Sequence, residues 1–404
     1  MPKILVVGAG IAGDTLAVLL GRAGWSVTVV ELAPALRAGG QTVDLRGDSR
    51  AVLERLGLLD AALDTLVPQR GIAWIDADER RLAAMPVEAF GGRGFISDAE
   101  LLRSDLARLL HDAATDAGVL HRFGDTVEAL DDTAEGVEAR FRSGGTERFD
   151  LVIGADGAHS RVRALRFGPE SDFRRPLGLA HAWFTLTEQP GTPDLDGWAL
   201  LHNAPGRRAV AVRPGHAGEQ EVGLTFPAED LPRGREARLD LLEREFSGVG
   251  WRTAEFLRAA RTAADFAVDT YDQIRMSAWS SGRVILVGDA AWCASPLSGL
   301  GTALGLAGAA ALADALGGVT DLADGQALAA ALGRYDRAMR PRVDASQKLT
   351  PGRVAMAAPR TALGIRLGAL TMRAVQLPAL LPVIERLAGD RGHDTAPAPV
   401  ELQR

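Results

Sequence analysis

Near its start, at residues 3–31, the chain reads KILVVGAGIAGDTLAVLLGRAGWSVTVVE. The short apolar run at 4–7 is typical of a buried parallel strand, and the β-branched run at 26–30 predicts a second one. Residues 12–22 between them carry the leucine spacing of a helix. A strand, a glycine-rich turn, a helix and a strand in this order predict a parallel α/β fold of the Rossmann-like type.

The turn in this unit has the spacing G-x-G-x-x-G. Gly8 permits the tight turn, Gly10 lets the backbone approach a pyrophosphate, and Gly13 lets the helix pack closely on the strand. The helix start offers free N–H groups and a positive dipole end to phosphates. Glu31, about 20 residues on, is placed to accept hydrogen bonds from a ribose. The pattern predicts a dinucleotide site and leaves NAD or FAD open; its residues are Gly8, Gly10, Ile11, Ala12, Gly13, Glu31 and Leu32.

Two later motifs repeat the plan of a short strand followed by glycine and aspartate. The first is FDLVIGADGAHSRVR, with Asp156 and Gly157, and the second is GRVILVGDAAWCASPLSGLGTALGL, with Asp289. Ligands of open α/β sheets bind beyond the carboxyl ends of the strands, where both aspartates are expected. Gly299 and Gly301 precede an Ala/Leu-rich helix and would present backbone N–H groups there. A second polar contact region is therefore predicted.

In this order and spacing, the three motifs resemble the class A FAD-dependent monooxygenases of the aromatic hydroxylase type, which include para-hydroxybenzoate hydroxylase. The resemblance covers residues 1–345. The stretch GGQTVDLRG with the preceding arginine, and the arginine of ELLRSDLARLL, are similar to the tetracycline-inactivating branch, where they lie along FAD. The resemblance implies FAD as cofactor, and beyond the first turn it assigns to it Arg37, Gln41, Asp44, Arg46, Arg103, Asp156, Gly157, Gly288, Asp289, Pro296, Gly299, Gly301, Thr302 and Ala303.

The resemblance also implies a reaction. NADPH or NADH would reduce FAD transiently, with Arg37 as a candidate contact, because no second complete βαβ fingerprint is present. O2 would then form a flavin C4a-hydroperoxide that hydroxylates or epoxidises a medium-sized aromatic or polyketide-like molecule. No side chain is assigned as catalytic acid or base. This chain has Trp292 where the family often has histidine, and Ala303 where the family often has asparagine. Trp292 is predicted to pack in the interior.

Two other functions stay open on the sequence. One is an FAD-dependent oxidoreductase that desaturates, reduces or cyclises its substrate without oxygen insertion, and the other is a flavin-binding protein without turnover. A flavin-dependent halogenase is disfavoured because the chain lacks the W-x-W-x-I-P segment of those enzymes.

The flavin domain is expected to be discontinuous. Alternating runs such as LGLAHAWFTLT and QEVGLTF predict a β-sheet substrate domain, in which Trp183, His202 and Arg213 are candidate substrate contacts. Two helices, ARLDLLEREFS and WRTAEFLRAA, are expected on the outer side of that sheet. The predicted boundaries are 1–72, 95–169 and 269–345 for the FAD-binding domain, 73–94 and 170–268 for the substrate domain, 346–390 for a C-terminal helical segment and 391–404 for a tail.

Composition narrows the partners. A net charge of −7 over 404 residues disfavours nucleic acid, which needs clustered positive charge. The single cysteine, Cys293, excludes a disulfide within the chain and fits a cytoplasmic location. No run of about 18 apolar residues predicts a membrane span. No spacing of ligand residues predicts a metal site, and His111 and His121 are interpreted as surface residues. A monomer or homodimer is expected.

Overall fold

The computed structural model describes residues 1–37, 39–89, 97, 99–349 and 352–375. The strands are β1 Lys3–Val7, β2 Ser26–Glu31, β3 Thr42–Asp44, β4 Gly71–Ile75, β5 Arg81–Pro86, β6 Glu100–Leu102, β7 Leu120–Phe123, β8 Val127–Thr133, β9 Gly136–Phe141, β10 Thr146–Phe149, β11 Leu151–Gly154, β12 Arg174–Thr187, β13 Trp198–Ala204, β14 Arg208–Pro214, β15 Glu219–Phe226, β16 Ala267–Ile274, β17 Ser280–Ser281 and β18 Val284–Leu286. The helices are α1 Ile11–Arg22, α2 Asp48–Leu56, α3 Leu59–Leu63, α4 Arg103–Asp116, α5 Arg161–Arg166, α6 Glu170–Phe173, α7 Arg235–Glu245, α8 Thr253–Thr262, α9 Asp289–Trp292, α10 Gly301–Gly317, α11 Gly325–Ser346, α12 Arg353–Ala357 and α13 Ala362–Val375, with a 3-10 turn at Pro296–Ser298.

The first sheet has the strand order β17-β18-β11-β1-β2-β7 and is parallel except for β17. Its central strands are almost wholly apolar because they are buried on both faces, and residues of β9 and β10 belong to the same core cluster as β1 and β11. Helices α1, α4 and α10 pack against one another on this layer. The predicted Rossmann-like unit is therefore present, with β1 paired between β2 and β11.

The second sheet has seven strands in the order β16-β12-β15-β14-β13-β4-β5. Helices α7 and α8 cover one of its faces and bury an apolar cluster that includes Phe184, Phe226 and Phe256. The outer position predicted for these two helices is confirmed. The other face points toward the first domain, because its residues bond to segments around Thr42 and Glu100.

Several predicted boundaries differ from the structure. The hairpin β4–β5 joins the second sheet through β13, so the predicted domain boundary between 72 and 73 falls inside β4. Strand β16 belongs wholly to the second sheet, so a boundary at 269 falls inside it. A three-stranded antiparallel sheet, β8–β9–β10, was not predicted within the first domain.

An uninterrupted helix leads into the predicted C-terminal segment. Helix α11 runs through Pro341 to Ser346, beyond the predicted boundary. Helix α13 then contacts β5 and β13 of the second sheet. The rest of the predicted helical segment, 376–390, and the predicted tail, 391–404, lie outside the described residues.

Trp292 lies in the core of the first domain, with 1% of its surface exposed. Its ring packs edge-on against Trp279, with centroids 4.6 Å apart, and lies 5.9 Å from the ring of Tyr335. A Cβ added at Gly308 of α10 would lie 2.6 Å from Cζ2 of Trp292, so the indole fills the space that this glycine leaves. Trp292 therefore packs α9 against α10, as predicted for this position.

We expect the substitution Gly308→Ala to lower the free energy of unfolding by about 1–3 kcal/mol, because overpacking outweighs the gain in helix propensity. Trp292→Phe removes the atoms that the new methyl group meets. The double variant should therefore be more stable than the sum of the single effects, by about 0.5–3 kcal/mol. Urea unfolding of the four proteins measures this difference. Gly317→Ala, whose Cβ would enter open space, is the control; strict additivity of the pair would contradict the packing described here.

Candidate active site

The first glycine-rich turn lies where three parallel strands end together. A Cβ at Gly8, which has φ +109°, would lie 2.5 Å from the carbonyl oxygen of Ala155 in the turn after β11. A Cβ at Gly13 would collide with the carbonyl oxygen of Gly8 and would lie 3.3 Å from Cβ of Ala155. These two glycines are therefore needed for backbone packing, because any side chain would separate α1 from β1 and from the motif after β11.

Other glycines of the motifs border open space. A Cβ at Gly10 has no atom within 4 Å apart from its immediate neighbours, and the same is true at Gly157, Gly299 and Gly301. Gly10 precedes α1, and Gly299 and Gly301 lie at the start of α10. The first N–H groups of each helix lack an intrahelical acceptor and carry the positive end of the helix dipole. This combination of open space and free donors fits a ligand rich in phosphate or carbonyl oxygens.

The two turns meet in space although nearly 300 residues separate them. Cβ of Ala12, in the first turn of α1, lies 2.9 Å from a Cβ built on Gly288 and 3.6 Å from one built on Gly305 of α10. Pro296 and the 3-10 turn lead directly into α10, whose first turn contains Thr302 and Ala303. One elongated ligand can therefore contact both turns.

Glu31 is the last residue of β2 and accepts hydrogen bonds from the backbone of the first turn and of the loop after β2. Its carboxylate accepts hydrogen bonds from the backbone N–H of Ala9 at 3.0 Å and of Ala33 at 2.8 Å. The neighbouring Leu32 and, further on, Arg37 are exposed. Glu31 is partly buried, and its position at the strand end is the one that the βαβ pattern predicts for a ribose contact.

Asp156 makes internal hydrogen bonds in this structure. Its carboxylate accepts from the hydroxyl of Ser160 at 2.5 Å and from the backbone N–H of Arg161 and Val162 at 2.7 and 3.1 Å. These groups form the start of α5, so the aspartate caps this helix. Burial raises the pKa of Asp156, and these hydrogen bonds oppose the rise. A contact between Asp156 and the cofactor stays a prediction, and Gly157 beside it borders open space.

Arg163 connects the second and third motifs. Its side chain is fully buried, and its guanidinium donates to the carbonyl oxygens of Ala290 at 2.9 Å and Ala158 at 2.6 Å. Glu170 lies 3.3 Å from the same group and provides an opposite charge. Because the bonds reach both loops, Arg163 fixes the position of Asp289 relative to Gly157.

Asp289 and Arg103 come together from distant parts of the sequence. Burial raises the pKa of the Asp289 carboxyl, and the positive charge of Arg103 opposes this rise. Arg103 begins α4 next to the segment of β3, since its backbone N–H donates to the carbonyl oxygen of Gln41 at 3.1 Å. The stretch from Gly39 to Arg46 is thus placed beside the third motif, as the resemblance implies.

Three rings lie on the face of the second sheet that points toward the first domain. His181 stacks on Trp183 with centroids 6.2 Å apart and lies 5.8 Å from the ring of Tyr271. Nδ1 of His181 is 2.8 Å from the hydroxyl oxygen of Thr225. Gly223 has no side chain because the His181 ring occupies that space, 2.8 Å from a built Cβ. Burial lowers the pKa of His181 to about 4 and raises that of Tyr271 to about 12, so both rings are neutral at pH 7.

A charged cluster continues the same face toward β3 and β6. Arg213 bonds to the hydroxyl of Thr42 and lies 3.2 Å from the carboxylate of Glu100. Glu221, directly across from Arg213 on β15, accepts from the backbone N–H of Thr42 at 3.2 Å. Burial and the Glu100 carboxylate raise the pKa of Asp44 to about 7. Burial raises the pKa of Glu221 to about 8, against the lowering effect of Arg213.

The structure corrects the prediction for His202. This residue pairs with Val210 and lies on the opposite face of the sheet, buried against Trp251, with ring centroids 6.1 Å apart. Its Nδ1 is 3.3 Å from the carbonyl oxygen of Ile75. Side chains alternate along β13, and the register that pairs β13 with β14 turns His202 toward the helices α7 and α8.

Sequence reasoning missed Glu221, Tyr271 and Glu100 in this region, and it named His181 as able to face a substrate but preferred to interpret it as a core or surface histidine. His181 lies two positions before Trp183 on the same strand, so alternation alone could have placed it on the same face. The others lie on strands whose pairing register the sequence does not give. Trp183 and Arg213 are on the same face, in adjacent side-chain rows across β12, β15 and β14.

Comparison with known proteins identifies the family of this chain. The family described as FAD binding domain matches residues 1–350. An uncharacterized protein of Mycobacterium tuberculosis (strain ATCC 25618 / H37Rv) is 42% identical over 323 residues, 78% of this chain and 85% of that protein. The FAD-dependent monooxygenase asL4 of Sarocladium schorii is 35% identical over 322 residues, 77% of this chain and 74% of that protein. The chain belongs to the FAD-binding monooxygenase family.

A solved structure agrees with this assignment. The tetracycline destructase Tet(51) matches with a TM-score of 0.77 at 29% identity, over 92% of this chain and 95% of that one. The predicted α/β fold and the predicted FAD-dependent monooxygenase activity are confirmed, and use of NAD(P)H is typical of the family. The open glycines and free helix N-termini fit FAD. Among the described residues, no helix is both long and apolar enough to cross a bilayer.

Two glycine variants distinguish ligand contact from packing. Gly10→Ala adds a methyl group in open space, so we expect an unchanged fold but at least about tenfold weaker FAD binding, since a lost phosphate hydrogen bond to N–H is worth about 1.5–3 kcal/mol. Gly13→Ala forces α1 away from β1 and should lower the thermal midpoint of the apoprotein as well. Flavin fluorescence titration and apoprotein melting measure the two effects. Tight FAD binding by Gly10→Ala would contradict the site.

The raised pKa of Glu221 gives a pH dependence of stability. A carboxyl with an ordinary pKa of 4.5 and a folded-state pKa of about 8 retains its proton in the folded state over this range. The contribution of Glu221 to the free energy of unfolding is therefore fully present below pH 4.5 and is lost as the pH rises toward 8. Glu221→Gln should flatten the pH profile of urea unfolding at constant excess FAD, by on the order of 1–3 kcal/mol. The exposed Glu229→Gln is the control and should follow the unaltered profile; parallel profiles for Glu221→Gln would refute the shift.

Proposed function

We propose that this monooxygenase inserts one oxygen atom into a planar, uncharged aromatic or polyketide-like molecule held against the ring face of its second sheet. The observation that carries the proposal is the juxtaposition of three neutral rings, His181, Trp183 and Tyr271, with the acid-rich cluster around Arg213. FAD, reduced by NAD(P)H, supplies the activation of O2. The chain supplies binding, orientation and exclusion of water.

The residues that would hold FAD follow from the placement of the three motifs. Gly10 and the first turn of α1 would contact the pyrophosphate, with Glu31 on the ribose. Asp289 and the first turn of α10 would contact the flavin half, and Arg103 would neutralise nearby charge. The proposed FAD-contacting residues are Gly8, Gly10, Ile11, Ala12, Gly13, Glu31, Leu32, Gln41, Asp44, Arg46, Arg103, Gly157, Gly288, Asp289, Pro296, Gly299, Gly301, Thr302 and Ala303. Arg37, exposed near the first turn, is the proposed contact for the nicotinamide cofactor.

The ring face favours a flat substrate. Stacked rings present a broad apolar surface, and aromatic partners gain about 0.5–1.5 kcal/mol from such contacts beyond the burial of area. His181 donates or accepts in its neutral form, since burial lowers its pKa to about 4. Thr225 and Tyr271 bring hydroxyl groups to the same face, so carbonyl and hydroxyl groups of a polyketide-like molecule have partners there.

The polar end of the face disfavours a carboxylate. Among the described residues of this cluster, Arg213 is already paired with Glu100 and lies across from Glu221. The carboxylate of Asp44 interacts electrostatically with both Glu100 and Arg213. A second arginine, Arg46, is also paired, because its Nε lies 3.7 Å from the carboxylate of Asp44. Adding a substrate anion would place further negative charge beside carboxylates in a buried region. Protonated Glu221 can instead donate to a carbonyl or hydroxyl group. An uncharged substrate is therefore preferred.

A paired substrate screen tests this proposal. FAD-loaded protein is mixed with NADPH or NADH, O2 and aromatic carboxylic acids, each next to its primary amide. We expect faster NAD(P)H oxidation and a product heavier by one oxygen atom with amides, phenols or polyketide-like ketones. Preference for the carboxylates would overturn the substrate class. Turnover without a mass increase would instead indicate a reaction that inserts no oxygen.

Trp183→Ala removes one ring of the face without touching the motifs for FAD. We expect kcat/KM for the preferred substrate to fall about tenfold or more, since the lost contact is worth at least about 1.4 kcal/mol, with FAD affinity unchanged. His202→Ala, on the opposite face of the same sheet, is the matched control: it should lower thermal stability but leave KM unchanged. Equal kinetic effects of the two variants would contradict the assignment of the face.

A cytoplasmic location and a monomeric or homodimeric state are also part of the proposal. The single, buried cysteine, Cys293, fits a reducing compartment. Size-exclusion chromatography with light scattering would measure the oligomeric state directly.

A further inference from the structure

Three potential metal ligands meet at the edge of the parallel sheet, away from the ring face. They are Asp14 in the first turn of α1, His111 in α4 and His121 in β7. One ligand atom from each residue lies within 4.8 Å of the other two. The sequence spacing gave no indication of this group, because 97 residues separate Asp14 from His111. The histidines were interpreted as surface residues, yet the side chain of His121 is 7% exposed and that of Asp14 is fully buried.

Two buried polar atoms of this cluster have no hydrogen-bond partner. Oδ1 of Asp14 lies 2.9 Å from Nε2 of His121, but Oδ2 of the same carboxylate is unpartnered, and so is Nδ1 of His111. A buried carboxylate oxygen without a partner is costly, since the desolvation of a charged group is then uncompensated. A single ion at this cluster could serve both unpartnered atoms, because ligand atoms of all three residues lie within 4.8 Å of one another.

We propose that Asp14, His111 and His121 bind one divalent transition-metal ion of the Zn²⁺ class. Two imidazoles and one carboxylate form a ligand set that suits this class, whereas Ca²⁺ and Mg²⁺ prefer oxygen ligands alone. Three protein ligands leave a fourth position for water. Bound metal would complete the coordination of both unpartnered atoms.

The surroundings support an ion at this position. The rings of His111 and His121 lie 4.2 Å apart at 64°, so their edges converge without stacking. The ring of Phe123 lies 5.7 Å from His111 and 6.1 Å from His121 and provides an apolar wall. Ligand distances of about 2.0–2.2 Å to Zn²⁺ require the ligand atoms to lie closer together than the 4.8 Å limit found here, so the side chains would move inward on binding.

The position suggests what the ion does. Asp14 belongs to the first turn of α1, which the proposed function places against the pyrophosphate of FAD, whereas His111 and His121 belong to α4 and the edge strand β7. A metal ion would therefore connect α1 to α4 as well as to β7, which already contacts Asp14 through His121. We expect bound metal to raise the thermal stability of the FAD domain, by mass action.

The test uses FAD-loaded protein without a polyhistidine tag, first treated with a chelator and then titrated with Zn²⁺ against a chromophoric chelator. We expect one Zn²⁺ per chain and a higher thermal midpoint with Zn²⁺. His111→Ala should weaken Zn²⁺ binding by more than the about 10–100-fold that loss of an outer-shell partner causes, and should abolish the thermal shift. His216→Ala is the matched control, since His216 is an exposed histidine paired with Asp105 outside the cluster.

The outcomes are distinct. Equal Zn²⁺ affinity of unaltered protein and His111→Ala, or no bound Zn²⁺ in either, would overturn the proposal and leave the cluster as a buried ion pair that is completed by water. Should His111→Ala not fold, Co²⁺ added to the unaltered protein decides: ligand-field bands at wavelengths beyond flavin absorption support the site, and their absence overturns it. Neither result depends on monooxygenase turnover, so the proposed function can fail independently.

Discussion

The close contact between α1 and the end of β1 is the constraint on which the site depends. Gly13 faces the carbonyl oxygen of Gly8, and Gly8 in turn faces the turn after β11, so neither position has room for a Cβ. This contact sets where α1 begins and which way its free N–H groups point. Helix α10 then packs beside α1, with Ala12 against Gly305, and brings the second glycine-rich turn to the same place.

Buried polar groups connect the three motifs to one another. Arg163 donates to carbonyl oxygens of two loops, and Asp156 caps the helix that carries Arg163. His159 extends the connection to the second sheet, because its Nε2 lies 2.9 Å from the carboxylate of Asp269. Asp269 and Glu170 raise the pKa of His159 to about 9. Side chains of the second motif therefore organise the protein around the cofactor position, because a buried charge is tolerated only where partners are fixed.

The proposed substrate region lies at the boundary between the two domains. Its rings come from β12 and β16, whereas its charged cluster combines Arg213 and Glu221 of the second sheet with Asp44 and Glu100 of the first domain. Burial raises the pKa of Asp44 to about 7 and that of Glu221 to about 8, so protonated carboxyl groups can act as hydrogen-bond donors at this end of the region. Stacked neutral rings next to such donors are suited to flat molecules that carry carbonyl and hydroxyl groups.

The sequence by itself determined the α/β fold and a dinucleotide site, because both rest on short-range patterns in which turn geometry and strand ends lie within a few residues. The FAD-dependent activity was implied by the resemblance of the three motifs to the class A monooxygenases. The sequence also predicted that Trp292 packs in the core. Only the tertiary structure decided that His202 faces the helices, that His181, Tyr271 and Glu221 join Trp183 and Arg213, and that Asp14 meets two histidines. These depend on strand register and helix packing between residues far apart in the chain, which a local pattern does not encode.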